Sequence, residues 1–147
     1  MSAPQPEEPL PQALHIWRAA VVYGIAAFAI GFVFGVIREL ALLPLAGRRM
    51  AHVIEFPFVT LAVCIAAWRI VLWREAWSAK ALALWGVCGT LVLIALESIF
   101  ALYVVGVPLA AYLEGYNVAQ GALFPFGLAI MIAAPFVIGK FLRRTGA

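Results

Sequence analysis

The sequence predicts an all-α polytopic membrane protein with four transmembrane helices in an antiparallel bundle. Of its 147 residues, 66% are hydrophobic and only 12% are charged, and the mean hydropathy is +1.05. A soluble domain needs a polar surface that this composition does not supply. The apolar residues form four continuous runs, each at least as long as the ~20 residues with which a helix crosses the hydrocarbon core. A transmembrane β-barrel would instead have short alternating segments.

The predicted transmembrane domain comprises residues 17–147, after a tail at residues 1–16. This tail contains several prolines and two glutamates, a composition typical of disorder, and it lacks the features of a cleaved signal. Pro44 and Gly47 are expected to end the first helix, and two short loops make the first three helices antiparallel. The predicted helices cover residues 19–43, 52–73, 81–105 and 121–142.

The third connection and the fourth helix have features of their own. Residues 106–120 are long enough to form an amphipathic segment on the outer membrane surface. Pro125 and Pro135 each remove a backbone donor from the fourth helix. We therefore expect a kink around these two prolines.

The distribution of basic residues predicts the orientation in the membrane. Seven of the ten Lys and Arg residues lie on the side shared by both termini and the second loop. This excess places both termini in the cytoplasm. The aromatic residues agree, because Trp and Tyr favour membrane interfaces. Five tryptophans fall near the cytoplasmic side and three tyrosines near the outer side: Trp17, Trp68, Trp73, Trp77 and Trp85, and Tyr103, Tyr112 and Tyr116.

Three ionisable residues interrupt the apolar runs and are expected to form a buried cluster. Arg38, Glu55 and Glu97 each continue a face of small or apolar residues, so each should point into the bundle. The residues expected at the helix-packing faces are Gly24, Gly31 and Gly35 in the first helix, and Gly86 and Thr90 in the third.

Counting from the outer helix ends at ~1.5 Å per residue places Arg38 about 8 Å deep, Glu55 about 5 Å and Glu97 about 12 Å. The favoured ion pair is Arg38 with Glu97, and Glu55 is a second acid near the outer mouth. Glu39 is rotated by about 100° from Arg38 around the helix, so it should face another neighbour or the lipid headgroups.

Two functions fit this cluster. In the favoured one, the charges hold the helices in register, and the chain is a non-catalytic structural or accessory subunit of a larger membrane complex. In the alternative, the chain is a small oligomeric ion channel or proton-coupled transporter, whose site consists of two acids beside one arginine. Transport would favour a homo-oligomer, because four helices of this length rarely enclose a wide path alone.

Other chemistries have less support. Ser98 and Thr90 have no histidine at their depth, so an enzyme is the least favoured class. The two histidines, His15 and His52, fall at opposite membrane faces and do not suit a haem.

His52 and Glu55 share a helix face but are not repeated elsewhere, so no metal or other cofactor is predicted. Arg48 and Arg49, with His52, could contact lipid headgroup phosphates or serve as anchors. Cys64 and Cys88 are expected to be small buried apolar residues. No nucleic-acid motif is present, so the expected partner is the lipid bilayer.

A stretch beginning at Gly31, GFVFGVIRELALLPLAGRRMAHVIEFP, carries a resemblance. It resembles a set of small four-helix bacterial inner-membrane proteins of unassigned function. That resemblance implies a bacterial cytoplasmic membrane and implies no activity. The matching positions are Gly31, Gly35, Arg38, Pro44, Gly47, Ala51, Glu55 and Pro57, then Ala95, Glu97, Gly121 and Ala122.

Overall fold

The protein is mainly helical in the residues that its computed structural model describes, which are 12–73 and 77–145. A π turn follows the first helix and another follows the third, and two short helical elements precede the last helix. In chain order the elements are α1 (Gln12–Ile37), a π turn (Arg38–Leu42), α2 (Leu43–Leu72), α3 (Ala79–Ile99), a second π turn (Phe100–Val104), α4 (Leu109–Glu114), a 3-10 turn (Val118–Gln120) and α5 (Phe124–Thr145).

In the described part of the chain, three helical stretches are long and apolar enough to cross a membrane. They are Leu14–Leu72 with 59 residues, Ala79–Val104 with 26 and Phe124–Thr145 with 22. Large apolar side chains remain exposed along all of them, including Phe58, Leu91 and Phe141. An apolar exterior of this kind suits contact with lipid, and these helices are compatible with an integral membrane protein.

The first of these stretches is not one straight helix. Gly47 has φ 74° and ψ 164°, which lie outside the helical region and favour a residue without Cβ. If the helix were continuous, Arg38 and Glu55 would lie about 25 Å apart at 1.5 Å per residue. Their side chains instead meet at 3.1 Å. The chain therefore turns back at Gly47, so the two parts of this stretch lie side by side.

Several element boundaries differ from the prediction. α1 begins at Gln12, so residues 12–16 of the expected tail are helical; residues 1–11 lie outside the described part. The helix also continues through Pro44 to Gly47, because the π turn before it accommodates a residue that has no N–H to donate. Gly47 alone ends this arm, and the residues after it are again helical, so the expected eight-residue loop shrinks to one glycine.

The last two connections also depart from the prediction in detail. Ser78 caps α3 by accepting a hydrogen bond from the Ala81 amide at 3.1 Å. Residues 106–120 contain α4 and the 3-10 turn. Pro125 lies in the first turn of α5, where the missing donor costs nothing, so the kink expected there is wrong. Pro135 does lie inside the helix.

One core joins both arms of the first stretch to α3 and α5. Its best-buried large side chains include Tyr23, Trp85 and Met131. The Tyr23 and Trp85 rings meet edge to face with centroids 5.1 Å apart. Trp85 is fully buried, so its ring packs in the core and is not exposed at the surface of the bundle. Trp17 and Trp73 are exposed.

A polar contact in this core compensates the proline of α5. Pro135 has no N–H, so the Met131 carbonyl one turn earlier lacks its usual helical donor. The Tyr23 hydroxyl, from α1, donates to that carbonyl at 3.2 Å. A membrane helix can keep an internal proline where a neighbouring helix satisfies the freed group. This hydrogen bond therefore connects α1 and α5 at the point where α5 needs it.

Candidate functional site

The charged residues singled out from the sequence line one cavity between the helices. The cavity has a volume of about 280 Å³. Its polar lining includes Arg38, His52, Glu55, Thr60 and Glu97. Gly31 and Gly35 of the first arm, and apolar side chains of the second arm, α3 and α5, complete the wall. The structure thus brings Arg38, Glu55 and Glu97 to the same space from three helical segments.

Arg38 is already paired within this cluster. Its Nη1 donates to Glu55 Oε2 at 3.1 Å, and its Nη2 and Nε donate to Glu39 Oε1 at 3.2 and 3.3 Å. Nη1 also lies 3.4 Å from His52 Nδ1. The Glu55 side chain is only 10% exposed, so this ion pair is largely buried. Arg38 therefore neutralises a buried acid from α2 and uses its remaining donors on Glu39.

Glu97 lies in the cavity wall with an unsatisfied oxygen. Its Oε2 is buried and has no hydrogen-bond partner among the described residues. The acid belongs to α3, within the apolar stretch Ala79–Val104. An unpaired charge in such surroundings is expensive, at least ~2.5 kcal/mol at mid-membrane. A proton on Glu97, or a cation beside it, would remove this cost.

The expected pairing of these groups is wrong in two respects. Arg38 forms its ion pairs with Glu55 and Glu39, not with Glu97. Glu39 faces Arg38 rather than a separate neighbour, because a single long guanidinium can contact both adjacent acids. The distances of these residues from their helix ends also differ from the predicted depths, because the first arm extends to Gly47. Arg38 and Glu55 lie nine and eight residues from Gly47, and Glu97 lies nine residues from Gly106. All three are therefore about 12–14 Å from a helix end.

Gly31 and Gly35 shape the cavity instead of packing helices together. A Cβ added at either position would meet no atom within 4 Å, and both glycines line the cavity. Gly24 behaves as predicted: a Cβ there would lie 2.6 Å from the Val92 side chain. Gly86 also packs closely, since a Cβ would lie 2.5 Å from the Ile132 carbonyl oxygen.

Thr90 is buried on the same side of α3 as these close contacts. Its hydroxyl donates to the Gly86 carbonyl of its own helix at 2.9 Å. That bond satisfies the hydroxyl donor within α3.

Two π turns adjoin the charged residues. The first begins at Arg38, with the Leu43 amide bonded to the Arg38 carbonyl. The second follows Glu97 by three residues, and the Val105 amide donates to the Phe100 carbonyl at 2.9 Å. Such turns are rare in helices and often occur at functional sites. Pro44 is the available sequence signal for the first; no residue pattern marks the second.

A row of hydroxyl groups near the C-terminal ends of α3 and α4 was not predicted. Ser98 Oγ lies 2.8 Å from the Tyr112 hydroxyl, which lies 2.8 Å from the Tyr116 hydroxyl. Burial and the hydrogen bond with Tyr112 raise the pKa of Tyr116, and the negative charge of Glu97 adds to the shift. The Tyr116 ring packs edge to face on Phe124, which lines the cavity. The connection after α3 is therefore anchored beside the site.

The remaining candidates lie apart from this chemistry. Arg48 and Arg49 are exposed beside Gly47. No group of three or more His, Cys, Asp or Glu side chains is arranged to hold a metal in the part of the chain that the structure describes. Cys64 and Cys88 are free thiols that pack at the edge of the core.

No protein-family model, curated protein sequence or solved structure significantly matches this chain. The helices and the cavity define a helical protein whose long helices are apolar enough to span a membrane and whose acidic site lies between them.

Proposed function

We propose that this protein crosses a bacterial cytoplasmic membrane four times and handles a proton or a small monovalent cation at Glu97, as a small channel or proton-coupled transporter. The observation that carries the proposal is the buried, unpartnered Oε2 of Glu97 in a cavity of about 280 Å³. An acid in this position changes its free energy strongly with protonation or cation binding. That sensitivity is what a carrier site requires.

The four crossings are supported by the reversal at Gly47. Each arm on either side of this glycine exceeds the ~20 residues that span the hydrocarbon, and α3 and α5 supply two more spans. An even number of crossings leaves both termini on one side. The excess of Lys and Arg at that side favours the cytoplasm.

The cavity sits within one chain, but a path across the membrane is longer than the cavity. A homo-oligomer would supply the additional walls for such a path. The exposed apolar faces of the helices suit either lipid or a second copy. We therefore propose a homo-oligomer as the transporting form.

Proton flux into liposomes tests the function. Purified protein is reconstituted with an internal pH-sensitive dye, and an imposed membrane potential drives protons inward. We expect Glu97→Gln to reduce the protein-dependent flux to less than ~10% of wild type, because the titrating group is lost. Glu114→Gln is the matched control, since Glu114 is exposed on α4 outside the cavity.

The melting temperatures of these variants in detergent separate transport from folding. Loss of flux in Glu97→Gln with an unchanged melting temperature supports the proposal. Flux equal to wild type in Glu97→Gln, or no protein-dependent flux with protons, Na⁺ or K⁺, contradicts it.

A structural or accessory subunit is the second candidate. The observation that favours it is the buried Arg38–Glu55 pair, which joins the two arms of the first stretch. Native mass spectrometry after extraction in a mild detergent tests this function. A second protein co-purifying in fixed stoichiometry would support it, and a preparation containing this chain alone would contradict it.

A further inference from the structure

The charges around the cavity leave a negative balance. Arg38 is the cation of the lining, and it is engaged by Glu55 and by Glu39 outside the lining. His52 lies beside Arg38, with its Nδ1 3.4 Å from Arg38 Nη1. Glu97 therefore has no cation to neutralise it among the described residues that line the cavity. An occupant with a single positive charge would complete the site.

The rest of the lining favours an organic cation over a bare metal ion. Hard metal ions take about six or more oxygen ligands, whereas the wall here is mainly apolar. Phe56 and Phe124 contribute aromatic rings, which pack against apolar groups and attract nearby cations through their faces. A substituted ammonium ion brings its own apolar surface to such walls and needs only one counter-ion.

The cavity also has room for such a ligand. Its volume of about 280 Å³ exceeds that of one or a few waters, each of which takes ~30 Å³ in the liquid. Part of the space exists because Gly31 and Gly35 lack side chains on the wall. Substitution of either glycine can therefore fill the cavity without an immediate backbone clash.

We propose that the cavity binds a small organic monocation, with its ammonium group at Glu97 and its apolar part against Phe56 and Phe124. This inference rests on the proposed cation-handling function and names the class of its substrate. The Arg38–Glu55 pair forms the closed, already neutral part of the wall. Glu97 is the residue that selects for positive charge.

Isothermal titration calorimetry with choline chloride tests the proposal on the full chain in a non-ionic maltoside detergent. 3,3-Dimethylbutan-1-ol is the neutral control, since it has the shape of choline without its charge. We expect saturable binding of choline with one site per chain and no saturable binding of the alcohol. Equal binding of both compounds, or no saturable heat with choline, would overturn the inference.

Variants assign the binding to the cavity. Glu97→Gln should weaken choline binding at least ~10-fold, because the counter-ion is lost. Gly35→Leu should abolish it by occupying the space, and Glu114→Gln should leave it unchanged. Undiminished choline affinity in Glu97→Gln would overturn the assignment even if Gly35→Leu fails to fold.

The flux assay distinguishes this inference from the proposed function. If protons pass through wild type but not through Glu97→Gln, while choline does not bind, the function stands and the substrate class is wrong. If choline binds at Glu97 but no cation crosses the liposome membrane, the site stands and the transport function is wrong.

Discussion

Replacement of Tyr23 by Phe tests how the core tolerates the proline in α5. The substitution keeps the ring and its contact with Trp85 but removes the donor to the Met131 carbonyl. Because Pro135 has no N–H, that carbonyl then has neither its helical donor nor its tertiary one. The site is fully buried at Tyr23, so water does not replace the lost bond.

The expected loss is about 1 kcal/mol of unfolding free energy. Leaving a buried acceptor unsatisfied costs ~1–3 kcal/mol in soluble proteins, whereas hydrogen bonds between membrane helices average ~0.6 kcal/mol. The 3.2 Å distance is long for a bond donated by a hydroxyl, so we expect a loss between these two values and near the smaller end of the soluble-protein range. Reversible unfolding in mixed micelles with increasing SDS, followed by circular dichroism, measures the difference.

A double-mutant cycle isolates the contact. Pro135→Ala restores an N–H that can donate to Met131 within α5, so Tyr23→Phe in that background should cost less than ~0.3 kcal/mol. Tyr103→Phe is the matched control, because Tyr103 is 83% exposed. If Tyr23→Phe costs the same with and without Pro135, the compensation of the proline by Tyr23 is refuted.

Further substitutions test the glycine packing, the Arg38–Glu55 ion pair and the hydroxyl row of Ser98, Tyr112 and Tyr116. Gly24→Ala should lower the unfolding free energy by ~1–3 kcal/mol through overpacking. Gly31→Ala should leave it unchanged or raise it by up to ~1 kcal/mol through helix propensity. The reverse order of stability in the same SDS titration would contradict the close approach at Gly24. Arg38→Met should cost ~2–4 kcal/mol by stranding Glu55, and adding Glu55→Gln should recover part of it; a double variant no more stable than the single would contradict a direct pair. Tyr116→Phe should speed amide hydrogen exchange in residues 109–116, and unchanged exchange would show that its hydroxyl does not anchor them.

Much of the site was predictable because helical spacing reports which residues share a face. Arg38, Glu55 and Glu97 each continue a small-residue face, and all three line the cavity. Spacing does not report whether a small-residue face is filled by a neighbour. Gly24 and Gly31 therefore look equivalent in the sequence, yet one contacts Val92 and the other borders empty space.

The pairing was not predictable because it depends on where the first helix ends. Pro44 is a strong signal for a helix end, but the π turn that starts at Arg38 accommodates it. The extra turn brings Arg38 to the depth of Glu55. Tyr23 and Pro135 are far apart in the sequence, so local pattern gives no indication of the hydrogen bond to Met131.

Because the chain reverses at the single residue Gly47, the Arg38–Glu55 ion pair depends on the number of residues between each partner and this glycine. Arg38 precedes this glycine by nine residues and Glu55 follows it by eight, so the two arms reach the pair over nearly equal distances. Deleting one residue within either arm would shift that arm by ~1.5 Å and rotate it by ~100°. Such a deletion would turn one charge out of the bundle while leaving the other inside it. The hairpin can therefore keep this ion pair and change its length only if whole helical turns are added in both arms together.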